Sequence, residues 1–415
     1  MIAAYLDAWG RFSRNVRLLL VVYGLFGFAY IGLYMLLFNL YLLRLGYGLE
    51  FIGLVNGAAR LGFALFCLPA GILGRYWGLR PMLIAGVLLM TAGMGLVPAV
   101  EFAPQTLQRQ WILIAYLLIW LGFAAFFVNS QSFVMASAGP QERNHIFSSL
   151  SALMPLAGFA GNLAGGFLPG LFSGLLHFPL DSPVPYRYPL ILAAALLLPA
   201  LPAMMAAREV RLEPAQGETE QKDAPPFLLL GFLSFVVLLT GVADGEISAF
   251  FNVYMDDGLR ASTALLGAVT AGAQLMAVPA ALSMPFLVAR WGHANVYFWS
   301  LVGGALSLGL MVLVPHWGPA ALGRLSAAVF ISINRPAFSA FHQSLVQSRW
   351  RSTMSGSTMT AFGISSAAIA LGGGYLVAAW SYKALFLLGA VLTALGAVVF
   401  RLFFRKPRGE HARHY

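Results

Sequence analysis

Five ionisable side chains, Arg60, Asp244, Glu246, Arg324 and Arg335, stand inside long apolar runs of the sequence. A charge in hydrocarbon costs several kcal/mol, so such groups turn toward protein or water and mark candidate sites. Arg335 lies near the middle of its run, between Pro319 and Arg349. A guanidinium there would bind an anionic group or hold a carboxylate, or else pair structurally with backbone carbonyls. Pro336 beside it removes a helical donor, freeing backbone groups for a polar ligand or simply kinking the helix. Asp244 and Glu246 are acids in a low-dielectric run, placed to take a proton from one side and release it to the other, or to be neutralised by Arg60 or Arg335. Two positions correspond to about 200° of helical rotation, so both acids face one way only if the helix breaks. Gly241 and Gly245 are where it would break.

Other polar groups repeat at fixed offsets. Arg60 and Gln274 are 214 residues apart, which fits a gate or an interhelical hydrogen bond better than a substrate ligand. Asn129, Ser130, Gln131 and Ser132 form a polar cluster, and Asn129 pairs with Asn334 at an offset of 205 in line with Phe133 and Phe338. Some of these amides would serve only to join helices. Tyr23, Tyr30, Tyr34, Phe38 and Tyr41 recur at steps that share one helical face, either as packing or as an amphipathic wall for a bulky organic solute. Cys67 has no partner, which excludes a disulfide within the chain. His145, His293 and His342 lack metal-ligand spacing, and no Gly-rich phosphate loop occurs. No cofactor or metal is expected, ATP hydrolysis is excluded, and energy must come from a gradient.

The elements that carry these residues are membrane helices. Residues are 60% hydrophobic and 10% charged, far from the usual half and quarter of a soluble domain. Spans are predicted at 18–43, 51–74, 81–100, 111–138, 146–174, 188–206, 227–255, 262–289, 294–315, 319–347, 352–380 and 384–404. Phe38-Asn39-Leu40-Tyr41-Leu42 recurs as Phe251-Asn252-Val253-Tyr254-Met255, and Trp77-Gly78 as Trp291-Gly292, so the chain reads as one unit written twice. With the N-terminus inside, most basic residues, Arg11, Arg14, Arg17, Arg75 and Arg80 among them, fall on the cytoplasmic side. The net charge of +10 therefore reports orientation and not nucleic acid. The expected organisation is a cytoplasmic segment 1–17, a six-helix half 18–206, a cytoplasmic linker 207–226, a second six-helix half 227–404 and a cytoplasmic tail 405–415. The chain is expected in the cell inner (plasma) membrane, functional as a monomer.

The six-linker-six layout and the loop Gly71-Ile72-Leu73-Gly74-Arg75-Tyr76-Trp77-Gly78-Leu79-Arg80 resemble the major facilitator superfamily over nearly the whole chain. Gly71, Gly78 and Arg80 match the family signature, whereas Arg75 stands where an acid is expected; in the second copy Pro285 replaces the first glycine and Gly292 matches. The resemblance implies that helices one, four, seven and ten line a central cavity and that the halves rock around it. Gly158, Gly161, Gly165 and Gly166 on the fifth span are similar to the glycine-rich helix of proton-driven exporters without its Gly-Pro pair, and small residues there equally serve packing.

The fold class is thus all-α integral membrane with twelve helices in two pseudo-symmetric halves. The function expected is secondary transport by alternating access, and the chain is not expected to be an enzyme. Proton-coupled antiport, the efflux of an amphipathic drug-like solute, is the first reading; proton-coupled uptake or exchange of a small organic anion at Arg335 and Arg60 is the alternative. A membrane-embedded lipid-modifying enzyme is remote, since the loops hold only isolated acids and histidines. The partners expected are a small molecule, protons and the bilayer.

Overall fold

The computed structural model describes residues 13–137, 140–210, 227–346 and 348–404. Most of the expected segment 1–17, the linker from 211 onward, the tail 405–415 and the Arg75 side chain lie outside them. The described residues are helical, without strands. In chain order the helices are α1 (Arg14–Arg44), α2 (Leu49–Trp77), α3 (Leu79–Leu96), α4 (Gln108–Ser137), α5 (Pro140–Leu176) and α6 (Val184–Met205, interrupted at Pro199). They continue as α7 (Phe227–Gly258), α8 (Thr263–Trp291), α9 (His293–Leu313), α10 (Trp317–Ser344), α11 (Ser348–Ala379) and α12 (Tyr382–Phe403). Among the described residues, eleven helices are long and apolar enough to cross a membrane. The helix left off that count is α10, whose Arg324, Asn334, Arg335 and His342 lower its hydropathy.

Helix ends follow local chemistry. The Ser262 and Ser381 hydroxyls accept from the amides of Leu265 (3.3 Å) and Ala384 (3.2 Å), capping orphan donors at the starts of α8 and α12. Two pairs of turns match in backbone conformation. Gly78 (φ 99, ψ 153) separates α2 from α3, and its counterpart Gly292 (φ 74, ψ 156) separates α8 from α9. Gly46 (φ 84) and Arg260 (φ 54) are equivalent in the same way after α1 and α7. The conformation of Gly78 and Gly292 is essentially reserved for glycine. A Cβ on Gly292 would meet no atom within 4 Å, so substitution there tests backbone strain alone. Gly292→Ala is expected to lower stability by about 1–3 kcal/mol, read as a lower unfolding midpoint in detergent; an unchanged midpoint would contradict the backbone assignment.

The chain forms two compact units, one of Met1–Leu45 with Gly62–Pro214, the other of Gly46–Leu61 with Ala215–Tyr415. In the first, residues Phe26–Tyr34 of α1 form a π-helical stretch that packs on α5, where Gly32 and Gly161 bring the two backbones together. Close approach of this kind needs small residues, the packing role open to the α5 glycines. In the second, Leu233, Val236, Tyr297, Phe341, Met354 and Phe400 build a core between α7, α9, α10, α11 and α12. The start of α2 belongs to this unit: Gly53 and Gly57 lie against Ala370 and Leu371 of α11.

Candidate functional site

Three arginines of the second unit, Arg60, Arg324 and Arg335, reach α7. The Nη2 of Arg335 donates to Oδ1 of Asp244 at 2.6 Å, joining α10 to α7. Their side chains are 61% and 27% exposed, so the pair is open to a competing ligand. The Arg335 guanidinium lies 5.5 Å from the centre of the Phe362 ring on α11, which leaves its edge free to donate. Eleven residues earlier on α10, a spacing that returns to the same helix face within about 20°, Arg324 sits 5.7 Å over Phe251 and within electrostatic reach of Asp244.

A third guanidinium approaches from α2. Arg60, 6% exposed, donates from Nη1 to the Ser366 hydroxyl and from Nη2 to the Ser248 hydroxyl. Ser248 in turn donates to the Asp244 carbonyl at 2.5 Å, one helical turn back. Arg60 therefore ties the start of α2 to α7 and α11 inside one unit. Its repeat counterpart Gln274 is half-buried on α8 and makes no hydrogen bond with the described residues, so the equivalent positions are used differently.

Glu246 points elsewhere. α7 turns at Gly241, yet Gly241 N donates to Val237 O (2.8 Å) and Gly245 N to Gly241 O (3.3 Å), so the ladder continues and the two acids stay on opposite faces. Asp244 faces the arginines; Glu246 is fully buried against α12. The break that would have brought both acids to one side is absent because those two hydrogen bonds hold.

The remaining sequence-selected residues lie apart from this cluster. Asn129 is buried, donating to Ala70 O (3.0 Å) and Ala125 O (2.8 Å) with its amide in the space Gly74 leaves open, so it joins α4 to α2. Asn334 is half-buried on α10 beside Arg335, and Gln131 is exposed on α4. Tyr30 and Tyr34 are 1% and 0% exposed, stacked at 6.3 Å, and Phe38 stacks on Tyr116 at 3.9 Å. The α1 aromatic stripe is thus buried in the first unit. At the signature loop, Glu209 accepts from the amides of Leu79 (3.0 Å) and Arg80 (3.4 Å), while Arg80 donates to Met205 O, so Leu79 and Arg80 are fastened to the end of α6 and the residues after it. Gly71 is half-buried on α2 and meets Val128 of α4.

Sequence reasoning passed over Ser248, Ser366 and the face shared by Arg324 and Arg335. The eleven-residue spacing of the two arginines was the available signal; nothing local marked the serines.

Comparison with known proteins agrees with this architecture. The family profile described as Major Facilitator Superfamily matches residues 19–243 and 233–414. No curated protein sequence matches the chain closely enough to count as a relative. Among solved structures, the nucleoside transporter NupG is similar with a TM-score of 0.71 at 15% identity, covering 94% of this chain and 100% of that one. A bacterial homologue of the iron transporter ferroportin in an inward-facing state gives 0.72 at 16% identity, over 95% and 99% of the two chains. A POT family transporter in complex with a thioalcohol-conjugated peptide gives 0.72 at 13%, over 96% and 99%.

Proposed function

We propose that this chain, which belongs to the major facilitator superfamily, carries a small organic anion across the membrane by alternating access. That it is a transporter and not an enzyme follows from the family; the charge of the solute is our reading. The observation that carries it is the exposed Arg335 held by Asp244, with Arg324 on the same helix face and Arg60 one turn from the acid. Arg335 pairs with the accessible carboxylate, Arg324 lies within its electrostatic reach, and Arg60 is linked to the backbone of the same residue through Ser248. The excess positive charge suits a carboxylate or phosphate, which a planar guanidinium grips with two parallel hydrogen bonds.

Asp244 then has a double role. Without solute it keeps Arg335 oriented and its charge balanced; an arriving anion competes for the guanidinium and frees the acid. Efflux of an amphipathic drug-like solute loses the support expected from the α1 tyrosines, which are packed away. In this reading α10 is the twelfth span despite its polarity, because its arginines face protein partners instead of lipid. Both termini are cytoplasmic, the membrane is the cell inner membrane, and the working unit is the monomer, with a proton gradient as the energy source.

The test is counterflow in liposomes holding the purified chain, with radiolabelled lactate, succinate and glycerol phosphate set against lipophilic cations. Exchange of at least one anion and of no cation is expected. Exchange of cations alone would overturn the reading. Asp244→Asn should leave anion exchange measurable but slow its release severalfold, because the group that competes the anion off Arg335 is gone; faster release would contradict that role.

A further inference from the structure

Glu246 is the buried acid that the anion site does not use. It is fully buried midway along α7, and neither carboxylate oxygen has a hydrogen-bond partner. Its head sits in a niche on α12 opened by Gly389, where an added Cβ would collide with both oxygens. Among the described residues, the Gly389 backbone amide is the polar group that acts on the carboxyl. One turn further along the same α12 face, Thr393 is 2% exposed with an unpartnered hydroxyl.

Among the described residues no charged side chain compensates this acid. Arg324 and Arg335 lie on the Asp244 side of α7, and Arg60 is held by Ser248 and Ser366. On α9, α11 and α12 the described titratable groups are His293, Tyr297, Tyr375, Tyr382, Lys383 and Arg401, and none acts on the carboxylate. An isolated ionised carboxylate in such surroundings is far more costly than a neutral acid. A bound metal cation would need several oxygen ligands, and no cluster of metal-binding side chains occurs among the described residues. A proton is the cation that fits.

We infer that Glu246 is a proton-carrying site of the transport cycle, separate from the Asp244–Arg335 pair, protonated in this conformation and trading its proton with water when α7 moves against α12. The Gly389 niche holds the neutral acid. Opening the α7–α12 contact hydrates the carboxyl, which gives its proton to water and is left as a carboxylate until the contact closes again on a re-protonated acid. The two acids divide the work: Asp244 governs the arginine, Glu246 carries the proton. The inference rests on the chain being a proton-driven transporter and not on the charge of its solute.

The experiment is infrared spectroscopy of the purified full-length chain, followed by transport in liposomes. At neutral pH the wild type should show the carbonyl stretch of a protonated carboxylic acid that resists deuterium exchange. Glu246→Gln should lack this band, Gly389→Ala should shift or remove it, and Asp244→Asn should keep it. In liposomes, accumulation of the probes lactate, succinate, glycerol phosphate or a lipophilic cation under an imposed proton gradient should fall at least tenfold in Glu246→Gln relative to counterflow of the same probe. Absence of the band in the wild type, its survival in Glu246→Gln, or an unchanged ratio of accumulation to counterflow would each overturn the proposal. Cation accumulation lost in Glu246→Gln would refute the anion reading and leave the proton site standing.

Discussion

Replacing Arg335 by glutamine is expected to weaken binding of the transported anion by roughly thirty- to hundredfold. A charge-assisted contact to a guanidinium is worth about 2–3 kcal/mol, and each 1.4 kcal/mol is a factor of ten in affinity. Glutamine keeps much of the side chain's length and one donor but loses the charge and the two-pronged geometry. The variant should fold, because Arg335 is largely exposed and Asp244 can turn to water once the pair is broken. Lysine should recover only part of the affinity, since a point charge cannot reproduce the fork. Equilibrium binding of labelled anion to wild type, Arg335→Gln and Arg335→Lys measures the series. Equal affinity in all three would place the anion away from α10.

The second large effect concerns Arg60. Truncation to alanine removes donors from the Ser248 and Ser366 hydroxyls together and empties a buried volume where α2, α7 and α11 meet. Breaking a buried charged contact and leaving its partners unsatisfied costs about 2–4 kcal/mol. Loss of stability of that size should appear as a lower unfolding midpoint and faster proteolysis. Arg60→Lys should restore less than half of it, because one ammonium cannot reach two hydroxyls on different helices in the geometry the fork supplies. Wild-type stability in Arg60→Ala would show that the serine contacts contribute nothing net.

Much of the fold was legible because membrane helices must satisfy their backbone internally, which turns long apolar runs into helices. The run from Leu18 to Leu43 became α1 and the run from Phe51 to Gly74 became α2, each a few residues longer than the apolar stretch. The Trp77-Gly78 and Trp291-Gly292 pairs marked two matching turns, whose glycines share a backbone conformation essentially reserved for glycine. Rotation along a helix separated Asp244 from Glu246 on paper as it does in space. Periodicity gave no information on what each face meets. The α1 tyrosines share a face, and only the structure shows that this face is buried against α4 and the core of the first unit. Likewise, the serines that hold Arg60 and the glycine that receives Glu246 lie on helices more than 100 residues distant in sequence. Contacts of that range leave no trace in local spacing.

An anion site at Arg335 and Asp244 underlies the proposed transport. Thermal stabilisation of the purified chain by lactate, succinate, glycerol phosphate and a set of lipophilic cations, measured in the wild type and in Arg335→Gln, tests it most directly. Bound ligand raises the unfolding midpoint by mass action, so an upward shift with at least one anion that vanishes in Arg335→Gln is predicted. A shift produced by the cations alone, or an anion shift that survives in Arg335→Gln, would contradict the account.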